Sequence, residues 1–447
     1  MGQSRSNHRG RALGTWVGVV LGGLLLSAPS GAVPSMARQT GMACAGCHTV
    51  FPELTPFGRQ FKLRGFTMGR ARADRPFPAN LPLAGVVQLS RTTTARRPPP
   101  DSEVLADDRK SIVQTAGLYY GGRITDRIGA LVQYNYDGFE DTLAAEMVDI
   151  RYANDANVAG RGLIYGFTLN NTPTLSDVYN STPMWAFPHS ETAGVMVPGT
   201  LLDMTLAAQV GGLGGYALWN DLLYVEFAVY RTAAADLLKP LHAGVPIEQR
   251  VVGTAPYWRV AIQRELGRHS LSLGSFGLVA DIRPEGADGL AARDHYRDVA
   301  ADFQYQFLGD RVTLSTTASW ISERQRLRAS SLLGTVNRER AIRQSWRGNV
   351  HLSYRRTVAV GLGYFATSGP TDMARFGTGM PVDGSAVGSA DTRGWIAELA
   401  VLPRPPIKLV LRRTAFSRYN GARRDYDGFG RDAADNDAWY LLVWWAL

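Results

Sequence analysis

From residue 81 to the C-terminus, apolar side chains recur at every second position, and this period of two constrains the fold more than any other feature of the chain. Between residues 341 and 355, Ile342, Trp346, Val350, Leu352 and Tyr354 fall on one face. Arg343, Ser345, Arg347, Asn349, His351 and Ser353 fall on the other. The stretch 298–307 repeats this, with Val299, Ala301, Phe303, Tyr305 and Phe307 against Asp298, Asp302, Gln304 and Gln306. Similar alternation runs through 111–124, 129–139, 161–171, 207–217, 222–233 and 357–369. Successive side chains of a strand point to opposite faces. Two-sided strands of this kind build either a soluble sandwich or a barrel with lipid outside and water inside.

The connections separate these alternatives. Turn residues cluster at 125–127, 219–221, 267–269, 308–310, 355–357 and 403–406. Between them lie longer connections at 95–110, 140–146, 172–206, 234–254, 285–296, 331–340, 371–390 and 422–437. Short turns at one end and long loops at the other are the pattern of an outer-membrane barrel. The predicted fold is therefore all-β, a porin-like barrel of about 16 antiparallel strands over residues 81–447, a size that leaves an aqueous lumen. The chain closes on AWYLLVWWAL, where Trp439, Leu441, Val443, Trp445 and Leu447 share one face and suit an interfacial aromatic girdle. An even strand count puts both barrel ends on the periplasmic side.

The first 32 residues read as a secretory signal peptide. Arg5, Arg9 and Arg11 precede an apolar run from Ala12 to Leu26, and Ser30 and Ala32 suit cleavage before Val33. The rival reading, an uncleaved anchor, fits less well because the run is short and interrupted by glycine. The net charge is +9, and +6 without those residues, which carry three arginines and no acid. So small a balance, with its basic residues scattered, does not point to nucleic acid as a partner.

Only two cysteines occur in 447 residues, and both stand in ACAGCHTVFPELTPFGRQFKLRGF, residues 43–66. Cys-x-x-Cys-His is the attachment signature of haem c. A thioredoxin-like pair would need a βαβ context, which is missing here. In this reading Cys44 and Cys47 hold the porphyrin by covalent bonds, and His48 is the axial ligand of the haem iron. A short helix should follow, with Thr55 as cap, Pro56 in the first position and Gly65 just past the end. Leu54, Phe57 and Phe61 would share one face of it. Arg59, Lys62 and Arg64 read equally as partners for haem propionates or as a solvated basic face. Residues 33–80 form a small haem segment, too short to wrap both faces of the group, so the barrel wall would have to complete the pocket.

The stretch ARQTGMACAGCHTVFPELTPFGRQFKLRGF, residues 37–66, followed at once by a porin-like barrel, resembles the fused monohaem cytochrome–porins of iron-oxidising bacteria. The segment NNTPTLSDVYNSTPMWAFP, residues 170–188, resembles a long-loop stretch of that family. The resemblance implies oxidation of extracellular ferrous iron. The electron would pass inward to a periplasmic c-type cytochrome or other electron carrier, across outer-membrane lipid. Two further readings stand beside it: a solute or ion porin with a structural or sensory haem, and a conduit for another reduced donor.

Several residues compete for the second axial position. Met68 ranks first because a Met/His pair raises the potential, and its rival reading is a linker methionine. Met36 and Met42 are near in sequence. His351, on a polar strand face, reads either as a ligand or as a hydrated lumen histidine. His189 would matter only if its loop folds inward. Iron is a hard cation that favours oxygen ligands, which directs attention to two acidic stretches. One carries Asp137, Glu140, Asp141, Glu146 and Asp149. The other carries Asp425, Asp427, Asp432, Asp435 and Asp437, balanced by Arg423, Arg424 and Arg431. The second reads as an electrostatic attractor of ferrous iron or as an ordinary solvated loop.

Overall fold

The computed structural model describes residues 34–50, 53–70, 81–100, 102, 105, 107–139, 141–182, 199–232, 249–377, 379–404 and 406–446. The predicted signal peptide, His189 and Glu140 lie outside them.

Strand β1 (Leu83–Thr94) pairs antiparallel with β2 (Ser111–Arg123) on one side. On its other side it pairs with β17 (Ala438–Ala446), the last strand. The sheet is thus closed. The remaining neighbours in the ring are consecutive in sequence, apart from one interruption. Gln249–Val251 and Ala255–Leu266 both pair with β10 (His269–Pro284), so β8 and β9 are two pieces of one stave. Counting them together gives 16 staves, as the alternation predicted. Closure leaves no unpaired sheet edge, which a lipid environment requires.

The two faces follow the predicted alternation. On β13 (Arg340–Tyr354) the side chains of Ile342, Trp346, Val350, Leu352 and Tyr354 are exposed, whereas Arg343, Ser345, His351 and Ser353 are buried inside. On β11 (Asp294–Leu308), Val299 and Phe303 face out, and Asp298, Asp302, Gln304 and Gln306 face in. Trp439, Leu441 and Val443 of the closing strand also face out. An outer surface of exposed Leu, Val, Phe and Trp around a closed sheet is stable only against lipid. Among the described residues, no helix is long and apolar enough to cross a membrane. The crossing is by strands.

Two predicted boundaries change. The connection placed at 140–146 is only 138–141, because β4 (Thr142–Val158) already pairs with β3 (Ile128–Asp137) there. Gln133 faces Met147 while Tyr134 faces Ala145, so Glu146 is the extra residue of a bulge. That inserted residue breaks the period of two and gives the strand the look of a loop. A short turn at 159–160 also joins β4 to β5 (Arg161–Asn170), with Ala159 and Gly160 both at positive φ.

Candidate functional site

The cysteine–histidine motif folds as one helical turn, Cys44–Cys47, from which His48 departs in extended conformation. Residues three apart on a helix share a face, so both sulfurs lie on the same side. The turn is held by the helix that follows it, Pro56–Leu63. Thr55 caps that helix, accepting from the Gly58 N–H at 3.1 Å, with Pro56 in the first turn and Gly65 at φ +63° after the end. Thr55 also clamps the motif: its N–H donates to the Cys47 carbonyl at 2.9 Å, and its hydroxyl to the Gly46 carbonyl at 2.6 Å. Gly58 must be glycine for this contact, because a Cβ there would stand 2.2 Å from the Cys47 carbonyl oxygen.

These residues fit a covalently attached haem. Both cysteines are free of disulfide and half-buried. Burial pushes each thiol up to about 11. A cavity of about 560 Å³ adjoins the helix, lined among others by Arg59, Gln60 and Arg64 of the segment and by Tyr179 and Tyr224, but not by Cys44, Cys47 or His48.

The segment lies inside the short-turn end of the barrel. Glu53 holds it to one arc of the wall, accepting from Ser315 and standing 3.5 Å from His351 Nδ1. Gln306 donates to the Leu54 carbonyl at 3.0 Å, and Arg356 to the Ala45 carbonyl at 2.9 Å. Residues 64–70 are fastened to the opposite arc. Arg64 pairs with Asp155 at 2.6 Å, and Arg123 donates to the carbonyls of Thr67 and Gly69.

This placement decides where the sequence candidates sit. Cys44, Cys47 and His48 share the arc of β11 to β14 (Val358–Ser368) with His351, whose ring covers Gly361 on the next strand. Met68 sits on the far arc, its carbonyl accepting from Gln39 at 2.8 Å. Met42 lies against Gly46 of the motif, and Met36 in the preceding helix, Pro34–Thr40. Each of the three basic residues of the helix has a partner on the barrel or its inward loop. Arg59 bonds Glu265 at 2.9 Å and also Ser270, Arg64 bonds Asp155, and the Lys62 amine donates to the Asp177 carbonyl at 2.7 Å and to Asn180 at 2.8 Å. They latch the segment to the barrel.

Lys62 meets a second inward element that the sequence left open. Residues 171–182, after β5, fold into the lumen, and Leu175, Ser176, Asp177, Val178 and Tyr179 are all buried. Leu63 of the segment, Val178 and Tyr179 of this loop, and Tyr216, Leu218 and Tyr224 of the wall form one apolar cluster. Beneath it run two buried ion-pair groups, Arg151–Asp149 at 2.8 Å and Arg259 between Asp177 at 3.0 Å and Asp302 at 2.9 Å. Buried charges persist only when paired in this way. The end of the same connection returns at 199–209, with Leu201, Leu202 and Leu206 packed on the inner wall.

Burial, with Arg151 beside it, pulls the Lys62 amine down from 10.5 to about 8. Between those values the folded state binds fewer protons than the unfolded one. The contribution of this group to stability is therefore lowest below pH 8 and rises as the pH climbs towards 10.5. Lys62→Met should flatten the urea midpoint against pH across that window. A parent whose midpoint fails to rise relative to the variant removes this account.

The acidic loop at 425–437 is already internally occupied. Asp427 accepts from the N–H groups of Val382, Phe429 and Arg431 at 2.8, 2.9 and 3.1 Å. Asp432 and Asp435 form a capping box, Asp435 also takes Arg96, Asp437 takes Arg413, and Asp425 accepts from Gly430. In the other stretch Asp149 is buried against Arg151, and Asp141 accepts from Tyr136. Among the described residues no group of three or more His, Cys, Asp or Glu side chains is arranged to hold a metal ion. The loop carboxylates organise backbone. Asp427→Ala leaves three backbone donors without their acceptor, a cost of ~1–3 kcal/mol. Limited proteolysis should then cut this loop faster than in the parent, and equal rates would contradict the assignment.

A closed barrel of 16 staves with an apolar outer belt and polar inner face defines an outer-membrane β-barrel of the porin type. No family model matches the chain, and no curated protein matches it. Solved structures similar to it include the following outer-membrane proteins. The outer membrane channel DcaP of Acinetobacter baumannii is 12% identical, with 82% of this chain and 96% of that one covered, at a TM-score of 0.48. An anion-selective porin from Comamonas acidovorans is 12% identical, with 82% and 98% covered, at 0.46. Salmonella typhi OmpF is 14% identical, with 82% and 97% covered, at 0.45.

Proposed function

We propose that this protein is an outer-membrane electron conduit, carrying a single haem c on Cys44 and Cys47 with His48 as axial ligand. Ferrous iron outside the cell is the donor, and a periplasmic carrier protein is the acceptor. The observation that carries this reading is the Cys44–Cys47 turn, with its two thiols on one face, clamped by Thr55 inside the short-turn mouth of a barrel. When bound, haem c supplies a one-electron centre part-way across an insulating layer of about 25–30 Å. The chain's own contribution is placement. Glu53, Arg59, Lys62 and Arg64 fix the segment to the wall, and the 171–182 loop covers it from the other side. Both barrel termini lie at the short-turn end, which in an outer-membrane barrel of even stave count is the periplasmic one. The second axial ligand is better sought at His351, which stands 3.5 Å from Glu53 of the segment, than at Met68 across the lumen.

Ferrous iron added to intact cells should shift the haem absorption bands to the reduced form within the mixing experiment. Bands that stay oxidised with iron, yet reduce with dithionite, would leave the haem and remove iron as donor. The porin-like fold favours a second reading, solute passage, which a conductance measurement separates from the first.

A further inference from the structure

We propose that the short-turn rim of the barrel is a docking face for a soluble carrier protein with an acidic surface, an inference that rests on the conduit reading above. Seven short connections join the staves at this end. Six of them carry or adjoin an exposed arginine: Arg127, Arg161, Arg268, Arg311, Arg356 and Arg404. The seven connections hold three aspartates, Asp126, Asp221 and Asp310, and with Asp310 and Arg268 paired at 2.7 Å five of these arginines stand against two aspartates.

The basic surface does not stop at the lipid perimeter. Arg356 reaches inward to the Ala45 carbonyl, within the cysteine motif itself. Arg70, exposed on the inserted segment, continues the charge into the mouth. Lipid headgroups meet only the outer circumference of a barrel. A protein seated over the mouth meets both the rim and the segment. A ring of positive potential raises the encounter rate of an acidic partner and orients it, more than it raises affinity. Here it would bring that partner directly over the turn that holds Cys44, Cys47 and His48.

The test uses the full-length protein in nanodiscs and, as probe, a soluble monohaem cytochrome c of net negative charge. Association is followed by interferometry at low and high salt. The variant Arg311→Glu/Arg404→Glu leaves Arg356 and its bond to the motif in place. It should associate roughly tenfold more slowly than the parent at low salt, with the difference vanishing at high salt. The control Arg340→Glu/Arg423→Glu, which lies at the long-loop end, should match the parent. Equal association of rim variant and parent overturns the proposal, as does an equal loss in the control. A difference confined to phosphatidylglycerol nanodiscs and absent from phosphatidylcholine ones assigns the arginines to lipid and overturns it too. The haem is read separately. If ferrous iron reduces it while no probe associates, the rim falls and the conduit stands; if probe associates with protein that carries no covalent haem, the conduit falls instead.

Discussion

Protein in which Cys44 and Cys47 are both replaced by alanine should lose haem staining on a denaturing gel completely, while the folded barrel still migrates like the parent. Haem that is merely lodged in a pocket leaves on denaturation, and haem held through thioether sulfurs does not. The effect is therefore all-or-none. The barrel should survive because nothing that fastens the segment passes through sulfur. Its anchors are Glu53 to Ser315, Arg59 to Glu265, Lys62 to Asp177 and Arg64 to Asp155. His48→Ala should keep the covalent stain and lose the native absorption spectrum, since the iron then lacks its proximal ligand. An unchanged spectrum in that variant would displace His48. The same preparation separates the candidates for the other axial side. His351→Ala should perturb the spectrum and Met68→Leu should leave it intact, given that His351 shares the arc of His48 and Met68 does not.

The second large effect concerns conductance. Sixteen-stranded barrels leave an aqueous channel when nothing fills them. Here the inserted segment and the 171–182 loop meet through Lys62 and the Leu63–Tyr179 cluster. Parent protein in a planar bilayer should therefore pass a current far below that of an open barrel of this size. Removing residues 34–70 should raise the current by roughly tenfold, because the loop alone then spans the lumen. Lys62→Ala gives a milder check, with brief openings as the latch to Asp177 is lost. A parent that already conducts like an open porin would favour solute passage over the conduit.

The fold was largely legible in the sequence because its two faces meet different solvents. Lipid and water sort side chains strictly, and stretches such as 342–354 keep that record residue by residue. Legibility failed where the backbone departs from regular pairing. The bulge at Glu146 inserts one residue, and the turn at 159–160 follows the polar stretch Asn154–Asn157, where alternation has already faded. The motif at Cys44–His48 was legible because it depends on spacing alone. Its surroundings were not. Arg59, Lys62 and Arg64 carry charge whose partners lie far along the chain, on strands and a loop that only the closed ring brings near. A basic face and a basic latch look the same until those partners are in place. The carboxylates of 425–437 pose the same difficulty in reverse, since their donors are backbone N–H groups that sequence does not reveal.

The pairing of β1 with β17 has a consequence for the order of events during assembly. The inserted segment precedes β1, and its contacts lie on the inner wall of staves from both halves of the ring. Once the first and last strands zip together, the wall around the segment is complete. A covalent group can then reach Cys44 and Cys47 only through the mouth that the segment itself occupies. On the proposed haem reading, the simplest sequence is attachment first, before the ring closes, with the loaded segment serving as the form around which the staves close. Ring closure joins the two most distant strands of the chain, the pairing with the largest loop-closure entropy to overcome. In this order it would also be the step that seals the cargo inside.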